Sequence, residues 1–179
     1  MNIETKKLVL RAVEPRDARF LADMINDPEV RSVLGAYDLV FPVSVGMEER
    51  WIESASKKDD IHMIAELKNG STPLGLLSLK DLHKRNGSAH LSIILRKRSW
   101  GKGYGTEAIN GVLSRLFNRM NMHRVWLRVA ECNTRAIACY KKCGFKVEGT
   151  LREDHYACDE WRNSYVMSII DSDFRRKRP

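Results

Sequence analysis

The sequence predicts an α/β (α+β) chain with a mixed, mostly antiparallel central sheet of about seven strands flanked by about four helices. Three observations predict it. Apolar periodicity runs strand, two helices, three strands, then helix, strand, helix and two strands. Asn69-Gly70 and Asn86-Gly87 separate the three middle strand runs as hairpin signals. A stretch with Gly101, Gly103 and Gly105 at alternate positions joins a strand run to a helical run. The 179 residues hold no repeat and no Pro/Gly-rich linker, so one domain is expected over 1–173, with a basic tail, 174–179, expected to fray.

"KLVLRAV" (7–13) alternates and reads as the first strand. Residues 14–27 follow as a helix, with Pro15 near its start and Phe20, Leu21, Met24 and Ile25 at helical spacing. Residues 29–43 carry Gly35 and Pro42 among exposed-looking aromatics, which suits a variable loop or short helix. "SVGMEERWIESASKK" (44–58) is a helix opened by Ser44, with Glu48 placed for capping or dipole support. Three strands follow at 60–70, 72–87 and 88–97. Residues 106–120 form a helix with a stripe of Ala108, Ile109, Val112, Leu113, Leu116 and Phe117. A strand over 123–131 leads to a helix over 133–145, with Asn133 as N-cap and Gly144 as terminator. "KVEGTLRE" and "WRNSYVMSII" are the last strands.

The hydrophobic fraction of 43% and charged fraction of 30% fit a soluble globular chain. No signal-type h-region opens the chain and no apolar run approaches membrane-spanning length, so a cytoplasmic protein is expected, with no membrane partner. Cys132, Cys139, Cys143 and Cys158 form no CxxC pair, so reduced thiols and no metal are expected. The net charge of +8 calls for an anionic partner, either nucleic acid or a multiply phosphorylated small molecule. As a nucleic-acid-binding module the chain lacks a repeated Arg/aromatic stripe. A weak RNA or ribosome contact through the basic tail stays open.

A strand feeding a glycine turn feeding a helix is an anion site, because the first helical N–H groups are unpaired and lie at the positive end of the dipole. The stretch lacks GxxxxGK[ST] spacing and the third spacing of GxGxxG. The physical reading is a diphosphate cradle.

"SIILRKRSWGKGYGTEA" followed by "NTRAIACYKKCGFKVEGTLRE" resembles the GNAT acyl-CoA N-acetyltransferase superfamily, closest to its RimJ/RimL-type and SpeG-type branch. The resemblance spans nearly the whole chain and implies a GNAT-like fold and acetyl-CoA as acetyl donor. It implies that Ile93, Ile94 and Leu95 face the pantetheine arm. It also implies that Trp100, Gly101, Lys102, Gly103, Tyr104, Gly105 and Thr106 hold the pyrophosphate. Trp100 departs from the Gln or Arg common there. Asn133 is implied to touch the cofactor arm and Tyr140 to protonate the leaving sulfur.

Acetyl transfer also needs a free amine. About a tenth of an α-amine is free base at neutral pH, against roughly a thousandth of a lysine-type amine. His90 stands where the branch commonly has Glu, and it reads either as the base or as an ordinary strand histidine. The resemblance favours a protein N-terminal α-amine as acceptor, of the ribosomal-protein type, by direct transfer in a ternary complex. A polyamine or other small amine is the alternative, with Glu29, Asp38, Asp154, Asp159 and Glu160 as the acidic residues available to it. A homodimer through the final strands is a family-level expectation.

Overall fold

In the computed structural model, which describes residues 2–34, 41–55, 60–70, 72–157 and 160–176, eight strands form one sheet in the order β1-β2-β3-β4-β5-β6-β8-β7. They are β1 Ile3–Glu4, β2 Leu8–Ala12, β3 Ile61–Leu67, β4 Pro73–His83, β5 Ser88–Leu95, β6 Arg124–Ala130, β7 Lys146–Ala157 and β8 Glu160–Ile170. Neighbours pair antiparallel except β5 and β6, which run parallel. The helices are α1 Ala18–Ile25, α2 Pro28–Leu34, α3 Val45–Ala55, α4 Tyr104–Arg119, α5 Thr134–Cys143 and α6 Asp171–Arg176.

The expected mixed sheet is present. The strand beyond the seven expected is β1, two residues long and set by pairing with Val9 and Leu10. The added helices are α2, inside the segment read as ambiguous, and α6. The tail expected to fray from residue 174 instead begins within α6, because Phe174 is buried and its ring lies 5.0 Å from that of Phe117. Residues 177–179 of that tail lie outside the described residues, as do Gly35, Asp38, Cys158 and Asp159.

One face of the sheet packs on α4 and α5. The α4 stripe from Ala108 to Phe117 is buried against Leu77, Leu91, Val125, Leu127 and Met167. The other face carries α1 and α3, whose Leu21, Met24 and Ile52 close over Ile64 and Leu76. Alternation along β5 therefore sends Leu91, Ile93 and Leu95 to the first core and Ile94 to the second. Gly75 on β4 lets β5 approach closely, since a Cβ there would stand 2.1 Å from the Ile94 carbonyl oxygen.

The entry to α1 is fixed by charge. Asp17 accepts the Glu14 amide at 2.8 Å and forms a two-pronged pair with Arg11 at 2.7 and 2.8 Å, while Arg11 also reaches Glu66 at 2.8 Å. This ties β2, β3 and the turn before α1 together. Asn26 then clamps the far end of the following segment, donating to the Val43 carbonyl at 2.7 Å and accepting its amide at 2.9 Å. Among the described residues no helix is long and apolar enough to cross a membrane.

Candidate active site

The site begins where the sheet opens. β5 and β6 pair over three positions, Ser88 with Arg124, Ala89 with Val125 and His90 with Trp126. No pairs follow, although the strands continue to Leu95 and Ala130. The two strands splay, and a cavity of about 680 Å³ fills the gap. Past the splay, the inner edge of β5 presents backbone groups that no strand accepts.

One end of the cavity is walled by Ile93, Ile94, Leu95, Trp100, Gly101, Gly103, Tyr104, Gly105 and Thr106. Helix α4 starts at Tyr104, two residues earlier than the periodicity predicts, with Gly103 as N-cap at φ 82°. That left-handed conformation suits only glycine without strain. A Cβ on Gly101 or Gly103 would meet no atom within 4 Å, so both positions border open space. The first bond within α4 runs from Glu107 N to Gly103 O at 3.0 Å, so the amides of Tyr104, Gly105 and Thr106 have no intrahelical acceptor. This cradle of amides at a helix N-terminus fits a diphosphate. Lys102 is exposed and does not line the cavity, so of the expected loop residues it alone stands off the wall. Glu107 supports the helix start by tying it to the β1–β2 turn, where it accepts Thr5 Oγ1 at 2.6 Å and Lys7 N at 2.5 Å.

Trp100 explains its departure from the common pattern. Its indole donates to the Leu95 carbonyl at 2.7 Å, and Arg135 of α5 stacks 3.2 Å from its ring centroid. The loop is thereby fastened to the end of β5 and to α5. Glu29 of α2 adds an ion pair with Lys97, which holds α2 to the same turn.

Asn133 caps α5 by accepting the Ala136 amide at 3.1 Å, and Gly144 ends the helix at φ 103°. The helix thus presents Asn133, Cys139 and Tyr140 to the cavity. Tyr140 is 6% exposed, its hydroxyl has no hydrogen-bond partner among the described residues, and burial pushes its phenol well above the ordinary value. Cys139 lies 3.3 Å from Thr106 Oγ1. Its thiol is lowered to about 6, first by a hydrogen bond from Cys143, against burial, and then by Thr106, Lys142 and Arg135.

His90 is not brought to this wall. It lies where β5 and β6 are still paired, and its ring packs 4.5 Å from that of Trp126. Burial lowers its pKa. The reason is positional: the cavity opens only past the residue that pairs with Trp126.

The other end of the cavity holds Glu48, which the sequence places at a cap, and Asp154, one of the acidic residues expected near an amine. Glu48 is 7% exposed and lines the cavity beside Trp51 and Ser78. Ser44 does open α3, accepting the Met47 amide at 3.3 Å, but the Glu48 carboxylate has no hydrogen bond or ion pair among the described residues. Burial alone raises its pKa. Opposite, Asp154 pairs with Arg128 at 3.2 Å through Oδ1, while its buried Oδ2 accepts no hydrogen bond. His155 lies beside it, with Nδ1 3.2 Å from Ser164 Oγ. Of the acidic residues expected near an amine, Glu29 is engaged with Lys97, Glu160 with Arg162, and Asp154 reaches the cavity. The helical register of α3 is the one signal that could have found Glu48, because it shares a face with Ile52.

Over residues 7–146 the chain matches the acetyltransferase (GNAT) domain family, and it belongs to that family. It is 27% identical to the spermidine N(1)-acetyltransferase of Vibrio cholerae, with 94% of this chain and 95% of that protein covered. It is also 27% identical to YdaF of Bacillus subtilis, a putative ribosomal N-acetyltransferase, with 96% and 95% covered. The crystal structure of the Vibrio cholerae spermidine N-acetyltransferase in complex with CoA and spermine superposes with a TM-score of 0.84, at 27% identity, covering 94% of this chain and 98% of that one. The chain is thus an acetyl-CoA-dependent N-acetyltransferase.

Proposed function

We propose that this GNAT acetyltransferase moves the acetyl group of acetyl-CoA to a small, multiply charged amine of the polyamine type, by direct transfer in a ternary complex. The observation that carries this reading is a pair of carboxylates, the buried Glu48 and the half-buried Asp154, on the wall of the cavity that also holds the diphosphate cradle. A cation entering there meets the Glu48 carboxylate, which has no cation of the protein among the described residues, at short range, while Asp154 is shared with Arg128. The relatives named as spermidine N-acetyltransferases support the same choice.

The amides from Gly101 to Thr106 hold the pyrophosphate, the inner edge of β5 over Ile93 to Leu95 pairs with the pantetheine arm, and Asn133 lies along it. The main catalytic contribution is orientation of thioester and amine in one cavity. Tyr140 keeps its proton through the neutral range and gives it to the departing sulfur.

An amine screen with acetyl-CoA tests the acceptor. Spermidine and spermine are expected to be turned over with kcat/KM at least about tenfold above that of monoamines and of peptides bearing a free α-amine. A higher kcat/KM for the peptides returns the acceptor to the protein N-terminus, the class the sequence reading favoured.

A further inference from the structure

Glu48 is a carboxylate with two properties that conflict in an ordinary folded protein. It is more than nine-tenths buried, and among the described residues it has no hydrogen-bond or ion-pair partner. Buried carboxylates are normally paired, because an unpaired charge in a low-dielectric interior is costly. Glu48 is turned to the cavity rather than to the core, beside Trp51 of its own helix and Ser78 of β4. Tyr140 lines the same cavity from α5.

We propose that Glu48 is the catalytic base: its carboxylate receives the acceptor ammonium in the cavity and takes its proton. The proposal rests on the acceptor being an amine, and it names the residue that prepares that amine. In the step, an N–H bond of the ammonium breaks and an O–H bond forms on Glu48. The freed nitrogen lone pair forms the C–N bond to the acetyl carbon. The C–S bond breaks with its electron pair going to sulfur, and the Tyr140 phenol supplies the sulfur's proton. Once the C–N bond has formed the nitrogen still carries one proton too many, which leaves to solvent. Glu48 returns its own proton to the Tyr140 oxygen through solvent, so both groups are restored and the products are the amide, the free thiol and one released proton.

The surroundings favour this role. Burial shifts the carboxyl toward the working range, where a base is most effective. The other charged or titratable groups lining the cavity are Lys80 on β4, Arg128 on β6, Asp154 and His155 on β7, Tyr104 at the start of α4, and Arg135, Cys139, Tyr140 and Lys142 on α5, while the ring of His62 on β3 lies 4.9 Å from that of Trp51. Helices α1 and α2 present only Ile25, Val30 and Val33. Arg128 is taken by Asp154, so Glu48 is the carboxylate of this wall that has no cation of the protein.

The test is Glu48→Gln, assayed with whichever amine the wild type acetylates fastest. At pH 7.5 the variant is expected to lose about 10²- to 10⁴-fold in kcat, with the acetyl-CoA dissociation constant unchanged by calorimetry. The wild-type to variant ratio is expected to shrink as pH rises toward the ammonium's own pKa, because solvent then supplies the free amine. An unchanged kcat with only a raised amine KM, or a ratio flat from pH 6.5 to 10, overturns the proposal and leaves Glu48 as a charge anchor. Should E48Q fail to bind acetyl-CoA, Glu48→Ala with added formate replaces it. Formate-dependent recovery of kcat supports the base and its absence removes it. A peptide α-amine as the best substrate would sink the polyamine reading while the Glu48 ratio still decides this one.

Discussion

The two ends of the cavity are built differently. The end assigned to the donor is made of backbone: loop amides, a helix N-terminus and an open strand edge, fastened by Trp100, Arg135 and Asn133. The end assigned to the acceptor is made of side chains from α3, β4, β6, β7 and β8, with Glu48, Asp154 and His155 among them. A main-chain site tolerates sequence change around it. A side-chain site changes with each substitution, so it is where members of one family can part company.

The comparison can be broken at either end. The largest effect is expected from Tyr140→Phe, which should lower kcat about 10²- to 10⁴-fold on every amine while calorimetry finds acetyl-CoA binding intact. A loss that depended on the amine would move Tyr140 to the acceptor's side. Asp154→Asn should act selectively, lowering kcat/KM for spermidine about tenfold, or about 1.4 kcal/mol, with monoamines nearly unaffected. Equal losses on both would mean that Asp154 serves only to hold Arg128.

The smallest expected effect lies beneath the acceptor side. Burial pushes the Asp17 carboxyl up, but hydrogen bonds from Arg11 and the Glu14 amide outweigh it and hold it below the ordinary value. Its folded pKa is therefore below its unfolded one, near 3.9. The stability it contributes is fully present above that unfolded value and is lost as pH falls through the folded one. In thermal melts, the Tm gap between wild type and Asp17→Asn should be constant near neutrality and narrow below about pH 4. A gap that widened in acid would contradict the pairing with Arg11.

Legibility follows the same division. The glycine spacing, the Asn133 cap and the Gly144 terminator are local signals whose meaning depends on a few neighbouring residues, and the structure has each where the sequence reading puts it. His90 and Glu48 depend on what lies across from them. Whether a β5 residue faces the cavity depends on where β6 parts from it, and that point is set by sheet geometry far along the chain. Glu48 occupies the first turn of a helix, where an acid ordinarily serves the dipole, and only the packing of α3 on β4 makes it a cavity residue. The final helix was missed because six residues ending in arginines look like a loose end until Phe174 finds Phe117.

The splay between β5 and β6 also bears on solubility. An unpaired strand edge usually invites a strand of another chain, and proteins guard against it with charges, bulges or short edge strands. Here the exposed ladder lies in the middle of the sheet, closed at its base by the pairing of His90 with Trp126 and backed by α4 and α5. It faces the cavity, between two strands already paired on their other sides, β5 with β4 and β6 with β8. An unpaired edge in the interior of a sheet is open only to what enters the cavity, unlike one at a sheet's rim.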